Sequence, residues 1–284
     1  MTPLERFIMT VSCSDSDSIP KVEDAGKLIL VDEKEIQIMH NGLKVLAGGY
    51  HGDWMSDIIR SLRGHHEPQE ERLFHSLLRF VRNNSIFVEL GAFWAYYSNW
   101  YMSAIPGSIA FCIEPDVNSL NIGKINTDLN GNKATFINAS VGKEFIESSE
   151  FVQESDKRRI SIPCLNVDAI LNLLPSSPIE VLHMDIQGAE YPLLTSMTSA
   201  VKNGKIRFVV ISTHHWEISG VKTTHQDCIN AVLNLGGYVL AEYSVEESFS
   251  GDGLIIASFF ESDRIIKLPD ITLNKSLDSL YRGR

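Results

Sequence analysis

Residues 85–101 read SIFVELGAFWAYYSNWY. A short apolar run, Ile86 to Leu90, carries one acid, Glu89, and ends in Gly91. In an α/β protein such a run is the strand that opens a nucleotide-binding unit, because the glycine permits the tight turn that brings backbone close to a ligand. Here the turn is followed by Phe93, Trp94, Tyr96 and Tyr97 in place of further glycines. The stretch decides the strand and leaves the ligand open.

Working outward, the region after Ser85 alternates regularly. Apolar runs at 86–90, 109–113, 134–139, 180–186, 206–211, 236–242 and 253–259 predict strands. Helical patterns fall between most of them, at 95–104, 116–129, 166–173, 189–202 and 224–235. In the last of these Thr224 and Asp227 are spaced like a capping box. Such alternation predicts a doubly wound α/β domain with a mostly parallel seven-stranded sheet. The final two strands lack a helical connection, which predicts an antiparallel hairpin at one edge.

Upstream, KLILV and EIQIMH around DEKE predict a small hairpin, and SCSDSDS (12–18) a flexible lead-in. DWMSDIIRSLRG predicts a helix with Asp53 as N-cap and Gly64 as its stop. EPQEERLFHSLLRFVRNN predicts another, with Pro68 in the first turn, Leu73, Leu77, Leu78 and Val81 on one stripe, and Asn83-Asn84 at its end. The domain organisation expected is an N-terminal extension at 1–65, a cap or an oligomerisation element, followed by a catalytic-type domain at 66–284.

The 284 residues carry a net charge of −11, with 44% hydrophobic and 21% charged residues. This is the composition of a globular protein with a sizeable core, and its charge argues against nucleic acid and anionic membrane surfaces as partners. No apolar run approaches the roughly 18 residues of a membrane span. Cys13, Cys112, Cys164 and Cys228 show no CxxC pairing. A reduced, cytoplasmic setting is the expectation. The basic run DKRR (156–159) reads as a solvated loop.

Three strand ends carry acids: Glu89, Glu114 and Asp185. In a doubly wound sheet, ligands bind where these ends splay apart, and an acid ending the second strand suits the vicinal hydroxyls of a ribose. NAD and S-adenosylmethionine both carry that diol. A pyrophosphate requires close backbone approach through G-x-G-x-x-G. The residues here are Gly91-Ala92-Phe93-Trp94-Ala95-Tyr96, bulky and next to an acid. S-adenosylmethionine has no phosphate and carries a sulfonium and an ammonium, which acids and aromatic faces attract. A methyl donor fits better than a dinucleotide.

FVELGAFWAYYS, CIEPDVNSL, INASVG, LNVDAIL and VLHMDIQGAEYPLL, in that order, resemble the FkbM family of S-adenosylmethionine-dependent methyltransferases. GHHEPQEERLF upstream and VVISTHH and SFSGDGLIIAS downstream extend the resemblance over about residues 64–259. In the first motif the family usually has Asp, Asn and a second Gly where this chain has Glu89, Phe93 and Ala95. The resemblance implies a class I, Rossmann-like methyltransferase sheet whose last strand is antiparallel. It implies O-methylation of a small or glycosylated metabolite, and a cofactor set of Glu67, Glu89, Gly91, Ala92, Glu114, Pro115, Ser140 and Asp185.

Methyl transfer to a hydroxyl needs alignment and a base. His214 and His215 lie just past a strand, and adjacent histidines point differently, so one of them is the expected base, His214 preferred over His215. Asp185 can orient that base or bind the substrate hydroxyl. Asp185, His214 and Asp252 are also residue types that ligate a divalent metal, though nothing in their spacing requires one. His51, His65 and His66 read as solvated loop residues, while Trp54 and Trp216 read as core or pocket wall. The partner expected is a small molecule, with self-association left open. A non-catalytic subunit with a methyltransferase-like fold is the alternative.

Overall fold

The structure, a computed structural model, describes residues 2–274. The far end of the expected 66–284 unit, residues 275–284, lies outside the described residues.

The N-terminal part begins with helix α1 (Pro3–Val11), whose Thr2 and Glu5 form a capping box. The segment at 12–18 is not a loose lead-in. It holds a short 3-10 turn, Asp15–Ser18, whose Asp15 is 1% exposed. Asp15 accepts from the Arg72 guanidinium at 2.8 Å and from the Thr272 amide at 2.9 Å, tying both ends of the chain to the body. The expected hairpin forms as β1 (Leu28–Val31) and β2 (Lys34–Ile38), with β3 (Lys44–Leu46) added on the other side of β2. Helix α2 (Asp53–Ser61) is capped by Gly52, not Asp53, and stops before Gly64. Helix α3 (Pro68–Leu77) is shorter than the pattern predicted and tightens into a 3-10 turn at Leu78–Phe80.

The central sheet contains β4 (Ile86–Leu90), β5 (Ile109–Ile113) and β6 (Ala134–Ile137). A small second sheet follows from β7 (Ser140–Val141), β8 (Ile146–Val152) and β9 (Arg159–Leu165). The central sheet continues with β10 (Ile179–Met184), β11 (Ile206–Thr213), β12 (Tyr238–Tyr243) and β13 (Gly253–Ser258). Its spatial order is β12-β13-β11-β10-β4-β5-β6. All pairs are parallel except β12–β13 and β11–β13, so the hairpin at one edge forms as expected. The sheet is the Rossmann-like sheet of class I methyltransferases.

The small sheet was not predicted. Its strand IESSEFV is mostly exposed and lacks the continuous apolar run that marks the buried parallel strands. The DKRR run falls at the turn into β9.

Helices α4 (Tyr96–Ala104), α5 (Val117–Leu129) and α6 (Val167–Leu173) follow the first strands. The helix predicted at 189–202 is instead two, α7 (Glu190–Thr195) and α8 (Thr198–Lys202). Thr195 and Ser196 donate their hydroxyls to the carbonyls of Pro192 and Leu193, a local alternative to continuing the helix. After α9 (Trp216–Ser219) comes α10 (Thr224–Asn234). Its N-cap is Thr223, whose hydroxyl donates to Asp227 at 2.7 Å, so the pair expected at Thr224 is displaced by one residue.

Alternate residues of the central strands face two cores. One contains Val88, Leu90, Leu182 and Met184. The other contains Phe87, Val181 and Phe208, and it is continuous with Met39, Val45 and Met55 of the N-terminal part. On this second face the apolar pattern breaks at Glu89 and His183, cross-strand neighbours in register. Among the described residues, no helix is long and apolar enough to cross a membrane.

At the carboxyl end of β4, Gly91 has φ of +72°. A Cβ there would sit 1.7 Å from the Asp185 carbonyl oxygen. Gly91→Ala should therefore destabilise the protein by about 3 kcal/mol or more, measured by urea unfolding, and a loss near zero would show that the two strand ends are not held together.

Candidate functional site

The carboxyl ends of β4, β5, β10 and β11 open onto a cavity of about 380 Å³. Eight of its lining residues are those expected from sequence: Glu67, Glu89, Gly91, Ala92, Glu114, Pro115, Ser140 and Asp185. His214 joins them, while His215 does not line the cavity. The His215 ring instead accepts from the Glu217 amide at 3.3 Å and caps α9.

The loop after β4 keeps a nucleotide-binding shape without the family's usual residues. The amides of Gly91 and Ala92 both donate to the Ile113 carbonyl, at 2.9 and 3.1 Å. Phe93 and Ala95 have φ of +36° and +54°. Those are the two positions where the resemblance leads one to expect Asn and Gly, the residues that accept left-handed backbone most easily. This chain holds the same turn with ordinary side chains, and Ala95 is fully buried against Ala92 and Cys112. Phe93, Trp94 and Tyr97 line the cavity, whereas Tyr96, Trp100 and Tyr101 belong to the core.

Glu114 follows β5 and accepts from the amides of Phe93 (3.0 Å) and Asp116 (2.8 Å), which fixes its carboxylate at the loop's edge. Burial pushes its carboxyl up to about 7. Glu89 accepts from the Ser98 amide at 3.0 Å and from the Ser98 hydroxyl, and burial likewise pushes it up to about 7.

Across the cavity, His214 is held at both ring nitrogens. Its Nδ1 lies 2.8 Å from Glu190 Oε1 and its Nε2 lies 3.1 Å from Asp185 Oδ1. Asp252 Oδ1 is 3.9 Å from the same Nε2. Burial disfavours the imidazolium, but the Asp252 charge and the hydrogen bonds to Asp185 and Glu190 outweigh it and hold His214 well above its ordinary range. Asp252 itself is pushed up to about 7 by burial. Glu190 is fixed in turn by the amides of Ile186 and Gly188, at 3.3 and 2.9 Å. Asp185 was expected from sequence to orient the histidine, but Glu190's place on its other nitrogen was missed, although Glu190 closes the QGAE motif.

Two further networks stand at the cavity wall, and two of their histidines, His65 and His66, are ones that sequence reading assigned to solvent. His183 Nε2 lies 2.8 Å from Glu70, which also accepts from Ser212 at 2.8 Å. Glu71 accepts from His65, from the Tyr96 phenol at 3.2 Å and from the His66 amide at 2.8 Å. His65 and His66 are buried, not solvated. His51 is exposed and sits at the cavity mouth.

His40, His65 and Glu71 bring ligand-type atoms within 4.8 Å of one another. The two imidazoles are stacked at 4.2 Å with planes 17° apart, so their in-plane lone pairs run nearly parallel and do not converge on one ion. The cluster is a hydrogen-bond network.

The class that fold and cavity define is a methyltransferase. A family model described as the methyltransferase FkbM domain matches residues 62–240, and the chain belongs to that family. No curated protein matches it significantly. Similar solved structures include a precorrin-6y C5,15-methyltransferase from Geobacter metallireducens, 11% identical, covering 66% of this chain and 86% of that one at a TM-score of 0.43. TrmK of M. capricolum, solved with S-adenosyl-homocysteine, is 13% identical, with coverage of 68% and 74% and a TM-score of 0.40. A putative rRNA methylase from Clostridium thermocellum is 10% identical, with coverage of 67% and 94% and a TM-score of 0.43.

An adenosyl ligand whose ribose donates to Glu114 should bind up to about tenfold more tightly at pH 8 than at pH 6, since a carboxyl titrating near 7 goes from about one-tenth to about nine-tenths ionised. Calorimetry with S-adenosylhomocysteine across that range checks it. Glu114→Gln should flatten the slope, and an unaltered slope would remove Glu114 from the ribose.

Proposed function

We propose that the protein is an S-adenosylmethionine-dependent methyltransferase that methylates a hydroxyl of a small or glycosylated metabolite, with His214 as the proton acceptor. The observation that carries this reading is the convergence in one cavity of the Gly91 turn, Glu114 and the Glu190–His214–Asp185 chain. The residues present suit the cofactor. Glu114 offers oxygens to a ribose diol, Glu89 and Asp185 offer negative charge to an ammonium and a sulfonium, and Phe93, Trp94 and Tyr97 offer ring faces. Nothing near Gly91 resembles a phosphate cradle.

When bound, S-adenosylmethionine supplies an electrophilic methyl group. The chain's own residues do the rest. Asp185, once engaged by the donor's positive charge, holds the His214 proton less firmly, so the ring can release its Nε2 proton to solvent and then accept the proton of the acceptor hydroxyl there. Glu190 keeps Nδ1 protonated and the ring aimed at the cavity, a carboxylate–histidine arrangement that favours an imidazolium as it forms. The preference for His214 over His215 is supported by the latter's place as the cap of α9. The net charge of −11 and the acid-lined cavity support a small molecule as acceptor.

Calorimetric titration with S-adenosylmethionine tests the donor: saturable binding is expected, and none at near-millimolar concentration sinks the reading. His214→Ala should cut turnover by about 10²–10⁴ in a labelled-methyl assay while S-adenosylhomocysteine affinity changes only a few-fold. Undiminished turnover would take His214 out of the chemistry.

A further inference from the structure

The family match spans residues 62–240. Four side chains that close the cavity lie outside it: Arg6 on α1, Tyr50 and His51 before α2, and Asp252 before β13. Asp252 lies 3.9 Å from His214 Nε2, and Tyr50 and His51 pack on the Phe93 loop opposite. The Glu67 and Asp185 carboxylates act on Tyr50, His51 and Asp252 alike. Glu114 and its amide partners Phe93 and Asp116 lie within the family's segment, and these four side chains come from the rest of the chain.

These side chains are built in. The Tyr50 ring stacks on Trp94 at 4.5 Å with planes 7° apart and meets the edge of Phe93 at 5.1 Å. His51, at a left-handed φ of +51°, lies 4.4 Å from Tyr50 and 5.4 Å from Phe93. Together they make an aromatic rim at the mouth. Arg6 lies over the Trp54 ring at 5.5 Å.

Asp252 carries the strongest signal. Its side chain lines the cavity 18% exposed, makes no side-chain hydrogen bond among the described residues, and pairs at 3.9 Å with His214 Nε2. A carboxylate that faces a cavity with no hydrogen-bond donor from the protein keeps its oxygens available to a ligand that donates to it. The cavity is also lopsided in charge. Seven carboxylates line it, with Arg6 the one arginine or lysine beside them. An acceptor bearing a carboxylate or phosphate would meet that field unfavourably.

We propose that Arg6, Tyr50, His51 and Asp252 form the acceptor subsite, and that it selects hydroxylated ring compounds without an anionic group, Asp252 accepting from a hydroxyl or an ammonium of the acceptor. This assignment rests on the methyltransferase reading of the same cavity. The aromatic rim takes the ring's apolar face, Asp252 fixes one polar substituent, and the reacting hydroxyl is left facing His214.

The test uses the full chain loaded with S-adenosylhomocysteine and ligand-observed NMR. Three probes share one ring: trans-4-aminocyclohexanol, cyclohexane-1,4-diol and trans-4-hydroxycyclohexanecarboxylate. The amine and the diol should bind, and the hydroxy acid should bind at least about tenfold more weakly. Asp252→Asn should weaken the amine by about tenfold and His51→Ala should weaken both binders, with S-adenosylhomocysteine affinity moving less than about twofold. Asp252→Asn should also leave the melting temperature little changed, because the long pairing with His214 that is lost is offset by removal of a partly buried charge. Equal binding of the hydroxy acid, silence from all three probes, or variants that weaken S-adenosylhomocysteine as much as the probes would each overturn the assignment. If the wild-type chain fails to bind S-adenosylhomocysteine, the methyltransferase reading falls first and the subsite with it, an outcome distinct from the other three.

Discussion

The site depends on a single close approach. Where β4 ends, the Asp185 carbonyl occupies the space a side chain on residue 91 would need, and the Asp185 amide donates to Leu90 at 3.0 Å. The missing Cβ lets two adjacent strand ends lie against each other. From that contact follow the height of the loop that places Phe93 beside Glu114 and the position of Asp185 beside His214. Both sides of the cavity are thus set by one glycine.

Around this contact the protein buries an unusual amount of charge on the face shared with its N-terminal part. Glu70, Glu71, His65, His66 and His183 are all buried, and each carboxylate is met by imidazole, hydroxyl or amide donors. Buried ionic networks of this kind tolerate little displacement, since a partner lost leaves a charge uncompensated. They join α3 to β10, β11 and the loop before α3, so the wall behind the cavity is rigid for electrostatic as much as for apolar reasons.

The sheet was legible because its parallel strands are buried on both faces. IFVEL, IAFCI and IRFVVIST read as near-continuous apolar runs, and the acids that interrupt or follow them stand out. The small sheet of β7, β8 and β9 was not, because solvated strands carry the polar residues of a loop. Histidines were misplaced for a related reason. A polar residue is assigned to the surface by type, and only its partner reveals that it is buried. Glu190 and His214 are 24 residues apart, and Glu70 and His183 are 113 apart, so no local pattern connects them.

By itself the sequence determined the strand-and-helix alternation, the acids at the strand ends and the bulky glycine-poor turn, because these follow from local periodicity and from the chemistry of single residues. Family membership rests on the same linear features. Only the tertiary structure decided which histidine faces the cavity, that Glu190 holds it, and that Arg6, Tyr50, His51 and Asp252 close the space beside it. The reason is physical. A hydrogen bond of 2.8 Å, or a carboxylate 3.9 Å from an imidazole, is a relation between distant parts of the chain, and it does not exist until packing brings them together.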